Sequence, residues 1–362
     1  MPPLLNVQDL SVSYDSRSGT VTALDGVSLE VSENELVAVV GESGCGKSTL
    51  ALALIGLLPT PPARVSNGLI EFKGTDLAHL GPNDLRQFRG TQIAMIFQEP
   101  LSSLNPVYKV GEQIAEAIQI KRQRENGQAP TKSEVMQKVH KSPPANSSKL
   151  PRSKRKISGE LREMAIASLK LVRIPDPDQV VDRYPFELSG GMRQRVVIAM
   201  ALSQEPALLI ADEPTTALDV TTQAQVLRLM KELMDKVKTS VLLITHDLAV
   251  ACQVADRIAV MYAGDVVETA NVFDLFSKPL HPYTQGLLSC LPTGSKEKVD
   301  LKPILGNVPD LRTRIVGCKY VTRCPHAMKT CSEDKPRLTG LEKHDVACYL
   351  YGEQNGRTPT NN

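Results

Sequence analysis

Apolar and polar positions alternate from Leu5 to Tyr14 and again from Val27 to Val31, the period of half-buried antiparallel strands joined by turn residues. The next apolar stretch does not alternate. In Glu35-Leu36-Val37-Ala38-Val39-Val40 every position after the glutamate is apolar, which predicts a strand covered on both faces. A Gly-rich turn and a helical pattern from Thr49 to Leu57 follow directly. Short apolar runs at Gln92–Ile96, Ala207–Ala211, Ser240–Thr245 and Arg257–Met261 predict further buried strands, separated by helical stretches such as Thr221–Val237. Strands alternating with helices predict an α/β fold with a mostly parallel sheet, to which the N-terminal segments add an antiparallel β subdomain.

Between Pro100 and Leu188 the strand pattern stops and helices are predicted near Val110–Lys121 and Glu160–Val172, which marks an inserted α-helical subdomain at about 100–187. Within it, Gln123 to Ser158 is rich in Lys, Arg, Ser, Pro and Asn and poor in apolar residues, so it reads as a loop or linker. After Ala263-Gly264 come a short strand, helices near Val272–Phe276 and Tyr283–Leu288, and a tail bearing Cys and Pro. The expected division is therefore a core domain at 1–265 and a C-terminal extension at 266–362 with a Cys-rich cluster at 317–349.

Composition narrows the function classes. The 362 residues carry 42 Lys and Arg against 40 Asp and Glu, and no Trp, so neither a basic field nor stacking platforms point to nucleic acid. The charge is uneven: residues 119–160 hold eleven basic and three acidic residues, which leaves the remainder net acidic. The longest apolar run, Leu50 to Leu58, falls short of the roughly 20 residues that span a bilayer, and the first residues lack a signal-peptide pattern. A cytoplasmic location is expected. Of seven Cys, four crowd the tail, which in that compartment suggests metal rather than disulfides.

Gly41-Glu42-Ser43-Gly44-Cys45-Gly46-Lys47-Ser48 lies between a predicted strand and a predicted helix. Glycines let successive backbone N–H groups turn toward a phosphate, and the helix N-terminus adds partial positive charge. Lys47 would reach the β- and γ-phosphates and Ser48 a Mg²⁺ ion. The helix terminus and Lys47 are also expected to favour a thiolate at Cys45. A second signal is the apolar strand Ala207–Ala211 ending in Asp212 and Glu213; such acids are often merely solvated, but here they suggest Mg²⁺ binding and a general base. The third is Leu188-Ser189-Gly190-Gly191-Met192-Arg193-Gln194-Arg195, a second helix opening suited to anions.

Together, in this order, these stretches resemble the ATP-binding cassette superfamily. The resemblance implies that ATP is bound by Gly41, Ser43, Gly44, Cys45, Gly46, Lys47, Ser48 and Thr49, with Tyr14 stacking on adenine. It further implies Mg²⁺ at Ser48, Gln98 and Asp212, catalysis by Glu213 with Gln98 and the switch residue His246, and a D-loop at Ala217-Leu218-Asp219. In this family two cassettes face each other head to tail, so Ser189, Gly190 and Gly191 of one would close on ATP held by the other. A dimer is then required, either with a second copy or with a homologous ATPase subunit, the latter favoured.

Three stretches narrow the resemblance to the ATPases of oligopeptide and dipeptide importers, a branch shared with nickel and some oligosaccharide importers. They are Gln98 to Pro106, His281 to Leu288, and Gly317 to Pro325. The branch implies peptide uptake through two membrane permease subunits, served indirectly by an extracytoplasmic solute-binding protein, with this chain peripheral on the cytoplasmic face of the membrane. The basic stretch 123–158 departs from the family pattern and is either a solvated loop or a contact for anionic lipid. Cys318, Cys324, Cys331 and Cys348 are spaced loosely enough to suit a 4Fe-4S cluster; structural Zn²⁺ is the rival, with His326 and His344 nearby. A soluble cassette ATPase acting on nucleic acid or ribosomes is the competing class.

Overall fold

The computed structural model describes residues 2–99, 103–126, 157–216, 218–291, 303–313, 315–341 and 344–351. Pro100, Leu101, Ser102, Ala217 and most of the basic stretch, 127–156, lie outside them. The chain forms two compact units, Met1–Gly81 with Leu242–Asn362, and Pro82–Val241.

The first unit contains an antiparallel sheet in which Leu5–Ser16 lies between Gly19–Val31 and Ala63–Phe72, with Thr75–Asp76 at the edge. The hydrophobic pattern does not announce Ala63–Phe72, because most of its first six residues are exposed and Gly68 interrupts it. At Gly68 the backbone is left-handed (φ +115°), and a Cβ there would stand 2.5 Å from the Cα of Leu10. Glycine therefore permits the bulge where this strand changes register against Leu5–Ser16.

A second sheet in this unit runs in the order Thr339–Leu341, His344–Val346, Asp265–Asn271, Arg257–Tyr262, Leu36–Val40, and Leu242 to Thr245 of the strand Ser240–Thr245. Leu36–Val40 is buried at every position and pairs in parallel with Arg257–Tyr262, as the uninterrupted apolar run predicts. Beyond that centre the sheet is mixed. Asp265–Asn271 is antiparallel to Arg257–Tyr262, and the tail strands continue antiparallel through Glu268 opposite Val346 and Thr269 opposite Asp345. The C-terminal extension thus contributes strands to the sheet that carries the phosphate loop.

In the second unit Ile93–Ile96 and Leu208–Asp212 pair in parallel. The helices Val110–Glu125, Gly159–Leu171 and Gly190–Leu202 pack on one another, and among the described residues no strand lies between 97 and 207. Ile114, Ile118 and Leu169 are buried in this packing, each removal from water contributing about 1.5–3 kcal/mol. The first helix continues to Glu125, so the start of the basic stretch is helical. Ser158 at its other end caps the next helix, its hydroxyl accepting from the Leu161 N–H at 3.3 Å. Among the described residues no helix is long and apolar enough to cross a membrane.

Candidate active site

The phosphate loop emerges from the buried Leu36–Val40 strand and ends on the helix Lys47–Leu54, the strand–loop–helix context that the sequence predicts. Two glycines are required by close approach. A Cβ on Gly41 would meet the Met261 carbonyl oxygen at 2.2 Å, and one on Gly46 (φ +103°) would meet that of Ala23 at 2.5 Å. Lys47 is only 5% exposed. Its ammonium donates to the carbonyls of Gly41 (2.8 Å) and Glu42 (3.0 Å), which keeps a buried cation hydrogen-bonded inside the loop. Ser43, Gly44 and Ser48 are exposed on it, and the hydroxyls of Thr49 and Tyr14 share a hydrogen bond at 3.3 Å. His246 is exposed just past the Ser240–Thr245 strand. The adjacent Asp247 caps the following turn by accepting from the Val250 N–H.

Cys45 differs from its sequence expectation. Its side chain is 2% exposed, and burial pushes the thiol above its ordinary value, outweighing the Lys47 ammonium and the loop's N–H groups. The thiolate is disfavoured, because the loop folds this side chain inward.

In the second unit Asp212 closes its strand in a buried position and Glu213 turns the chain. Glu213 adopts φ +44°, a left-handed conformation that is costly for a residue with a Cβ and is found where a site fixes it. Its carboxylate accepts from the Gln98 amide at 3.1 Å and from the Thr216 hydroxyl at 2.9 Å. Gln98 and Glu213 are 115 residues apart, so the fold unites two residues that the sequence assigns separately. Thr216 was not legible as a site residue; its only signal is its place three residues after the acid, within reach of a turn-spanning hydrogen bond.

Ser189 is the N-cap of Gly190–Leu202, its hydroxyl accepting from the Met192 N–H. Asp219 caps Val220–Val237 in the same way, accepting from Thr222, and these hydrogen bonds hold its carboxyl below the ordinary value. Both caps open on one cavity of about 470 Å³, also lined by Gly190, Gly191 and Arg195. A Cβ on Gly191 would press on Thr222 at 2.8 Å, so glycine is needed where the two helix starts converge.

The tail closes on the back of the phosphate loop. Tyr262, Tyr283 and Tyr320 form a cluster with ring centroids 4.6–5.5 Å apart, and the Tyr283 hydroxyl accepts from the Glu42 N–H at 3.1 Å. The fully buried Glu268 carboxylate accepts from the N–H groups of Leu280 (2.7 Å) and His281 (2.9 Å) and pairs with the His344 ring at 2.6 Å.

Cys318, Cys324, Cys331 and Cys348 line a single cavity with His326. Burial, reinforced by the neighbouring tail cysteines, pushes Cys318 up to about 12 and Cys348 to about 11. Among the described residues no three His, Cys, Asp or Glu side chains are arranged to hold a single metal ion. His344, named above with His326 as nearby support for Zn²⁺, is instead engaged by Glu268. The four thiols share this cavity with His281, Pro282, Tyr320 and Met328.

Residues 24–216 match the family described as ABC transporter, and residues 267–331 match the oligopeptide/dipeptide transporter, C-terminal region. The chain is 44% identical over 355 residues to the dipeptide transport ATP-binding protein DppD of Bacillus subtilis, covering 98% of this chain and 96% of that protein. It is also 44% identical to the probable peptide ABC transporter ATP-binding protein y4tR of Sinorhizobium fredii, over 97% of this chain and 96% of that one. Among solved structures, the dimeric cassette MJ0796 bound to ADP and Pi in a post-hydrolysis state matches with a TM-score of 0.57 at 25% identity, covering 74% of this chain and 98% of that one. The cbiO1 protein of Clostridium perfringens matches at 0.56, also at 25% identity, covering 77% and 92%. Buried Lys47 in its loop and Glu213 held by Gln98 are thus parts of a wider likeness: the chain belongs to the ABC transporter family of ATPases and carries the C-terminal region of its oligopeptide/dipeptide branch.

Proposed function

We propose that the chain is the ATP-hydrolysing subunit of an importer that takes up dipeptides or oligopeptides through two separate membrane permease subunits. The observation that carries the peptide assignment is the match of residues 267–331 to the oligopeptide/dipeptide C-terminal region, supported by relatives named as dipeptide and peptide transport proteins. On the loop, Lys47 serves the β- and γ-phosphates, the hydroxyl of Ser48 serves Mg²⁺, and Tyr14 packs on the base. In the second unit Asp212 serves the metal's waters with Gln98, and Glu213 polarises the attacking water as general base, oriented by Gln98 and Thr216. His246 contacts the γ-phosphate. Ser189, Gly190 and Gly191, with Asp219 beside them, face the nucleotide of a second, homologous cassette; the dimeric state of MJ0796 supports a pairing of two cassettes.

The four tail cysteines would hold a 4Fe-4S cluster, whose iron–thiolate bonds stabilise a segment with few large apolar side chains. The chain sits on the cytoplasmic face of the membrane, where the basic stretch 123–158 is a solvated loop or, alternatively, a contact for anionic headgroups. Vesicles reconstituted with the permease subunits and this chain should take up labelled peptides when ATP is supplied. Uptake of Ni²⁺ or oligosaccharides in place of peptides would reassign the solute, and copurification with nucleic acid instead of permeases would refute the import function.

A further inference from the structure

We propose that Arg323 is a positioning residue for ATP binding, which fixes the Glu42 carboxylate and cancels its charge within the phosphate loop. The inference rests on the assignment of residues 41–48 to ATP. Glu42 is held on three sides. Its N–H donates to Tyr283, its carbonyl accepts from the Lys47 ammonium at 3.0 Å, and its carboxylate accepts from one guanidinium nitrogen of Arg323 at 3.1 and 3.2 Å. Holding the carboxylate therefore steadies the carbonyl that keeps Lys47 in place.

Arg323 is itself fixed on every side. That same nitrogen donates to the Tyr262 hydroxyl (3.3 Å), the Nε donates to the Leu305 carbonyl (3.1 Å), and the remaining nitrogen to that of Ile304 (3.3 Å). The guanidinium also lies over the Tyr262 and Tyr320 rings, at 5.7 and 6.0 Å from their centroids. Its side chain is 5% exposed, against 28% for Glu42. A planar fork spread over a carboxylate, a hydroxyl and two carbonyls is a geometry that Lys cannot reproduce. An acidic residue in a loop built to receive a polyphosphate would repel its ligand unless neutralised, and here the partner cation comes from 281 residues further along the chain.

The test uses the full chain with its partner subunits. Arg323→Gln should raise the Kd and KM for ATP about tenfold while kcat changes less than about twofold, since the interaction acts on binding rather than on the chemical step. Adding Glu42→Gln removes the charge that needs cancelling, so the double variant should bind ATP within about threefold of Glu42→Gln alone. Arg323→Lys, which keeps the charge without the fork, should weaken ATP less than Arg323→Gln. That graded order also serves if Arg323→Gln purifies poorly, because the double variant and Arg323→Lys can be compared directly with wild type. An unchanged Kd in Arg323→Gln, or a double variant no tighter than Arg323→Gln, overturns the proposal. Lys47→Ala separates the two levels: if it abolishes ATP binding while Arg323→Gln is silent, only the role of Arg323 fails. If Lys47→Ala binds ATP normally, the loop assignment fails with it.

Discussion

Truncating Glu268 to alanine removes the single acceptor shared by three buried donors. The carboxylate is fully buried and receives the Leu280 N–H, the His281 N–H and the His344 ring, groups that are themselves at most 7% exposed. Leaving a buried donor without a partner costs about 1–3 kcal/mol. With some relaxation around the vacated volume, the three together should cost about 3–6 kcal/mol, a large part of the 5–15 kcal/mol that stabilises an ordinary domain. The loss should be local, because these donors tie Asp265–Asn271 to the helix start at His281 and to the tail strand His344–Val346. Glu268→Gln, which keeps one oxygen but points an amide N–H at a donor, should lose about half as much. Hydrogen exchange and limited proteolysis read by mass spectrometry are the assays: residues 339–351 of Glu268→Ala should exchange and be cut much faster than in wild type, while the second unit is unchanged. Protection of the tail equal to wild type in Glu268→Ala would refute the reasoning, since it would mean that the three donors find other partners at little cost.

Glu213→Gln should abolish turnover yet leave ATP binding, trapping a closed pair of cassettes visible by size-exclusion chromatography; near-normal hydrolysis would remove Glu213 from the role of base. Because Cys45 is buried and its thiol lies above the ordinary value of 9.0, iodoacetamide should label exposed Cys290 about a hundredfold faster. Labelling of Cys45 should still be accelerating above pH 9, and peptide mapping that finds it as reactive as Cys290 would contradict the burial. Protein purified without oxygen should be brown with about four irons per chain, and Cys324→Ser should lose both colour and iron. A colourless preparation with one zinc would replace the cluster by an ion.

Many of the buried strands were legible because their signal is local. Uninterrupted apolar runs gave the strands at Leu36–Val40, Leu208–Asp212 and Ser240–Thr245 to within a residue, and the loop motif between its strand and helix identified Lys47. What was not legible depends on contacts distant in sequence or on backbone strain. Ala63–Phe72 carries no strand pattern, because Gly68 interrupts it at a bulge dictated by Leu10 on the neighbouring strand. The tail strands are three residues each, too short to show a period, and they exist because Asp265–Asn271 offers them an edge. The left-handed turn at Glu213 and the inward fold of Cys45 follow from what surrounds them; local spacing predicted a thiolate where burial enforces a thiol.

The link between Glu42 and Arg323 also sets a schedule for biosynthesis. At about 5–20 residues per second, the ribosome reaches Arg323 roughly 15–60 s after it has made Glu42. Tyr283, the strand partner Arg257–Tyr262 and the tail strands all belong to that same late portion of the chain. A nascent cassette that already displays its glycine-rich loop therefore lacks the groups that brace it, and a chain terminated before the tail carries an uncompensated carboxylate there. If Arg323 positions the loop as proposed, the nucleotide site reaches its full affinity only once the tail has been made.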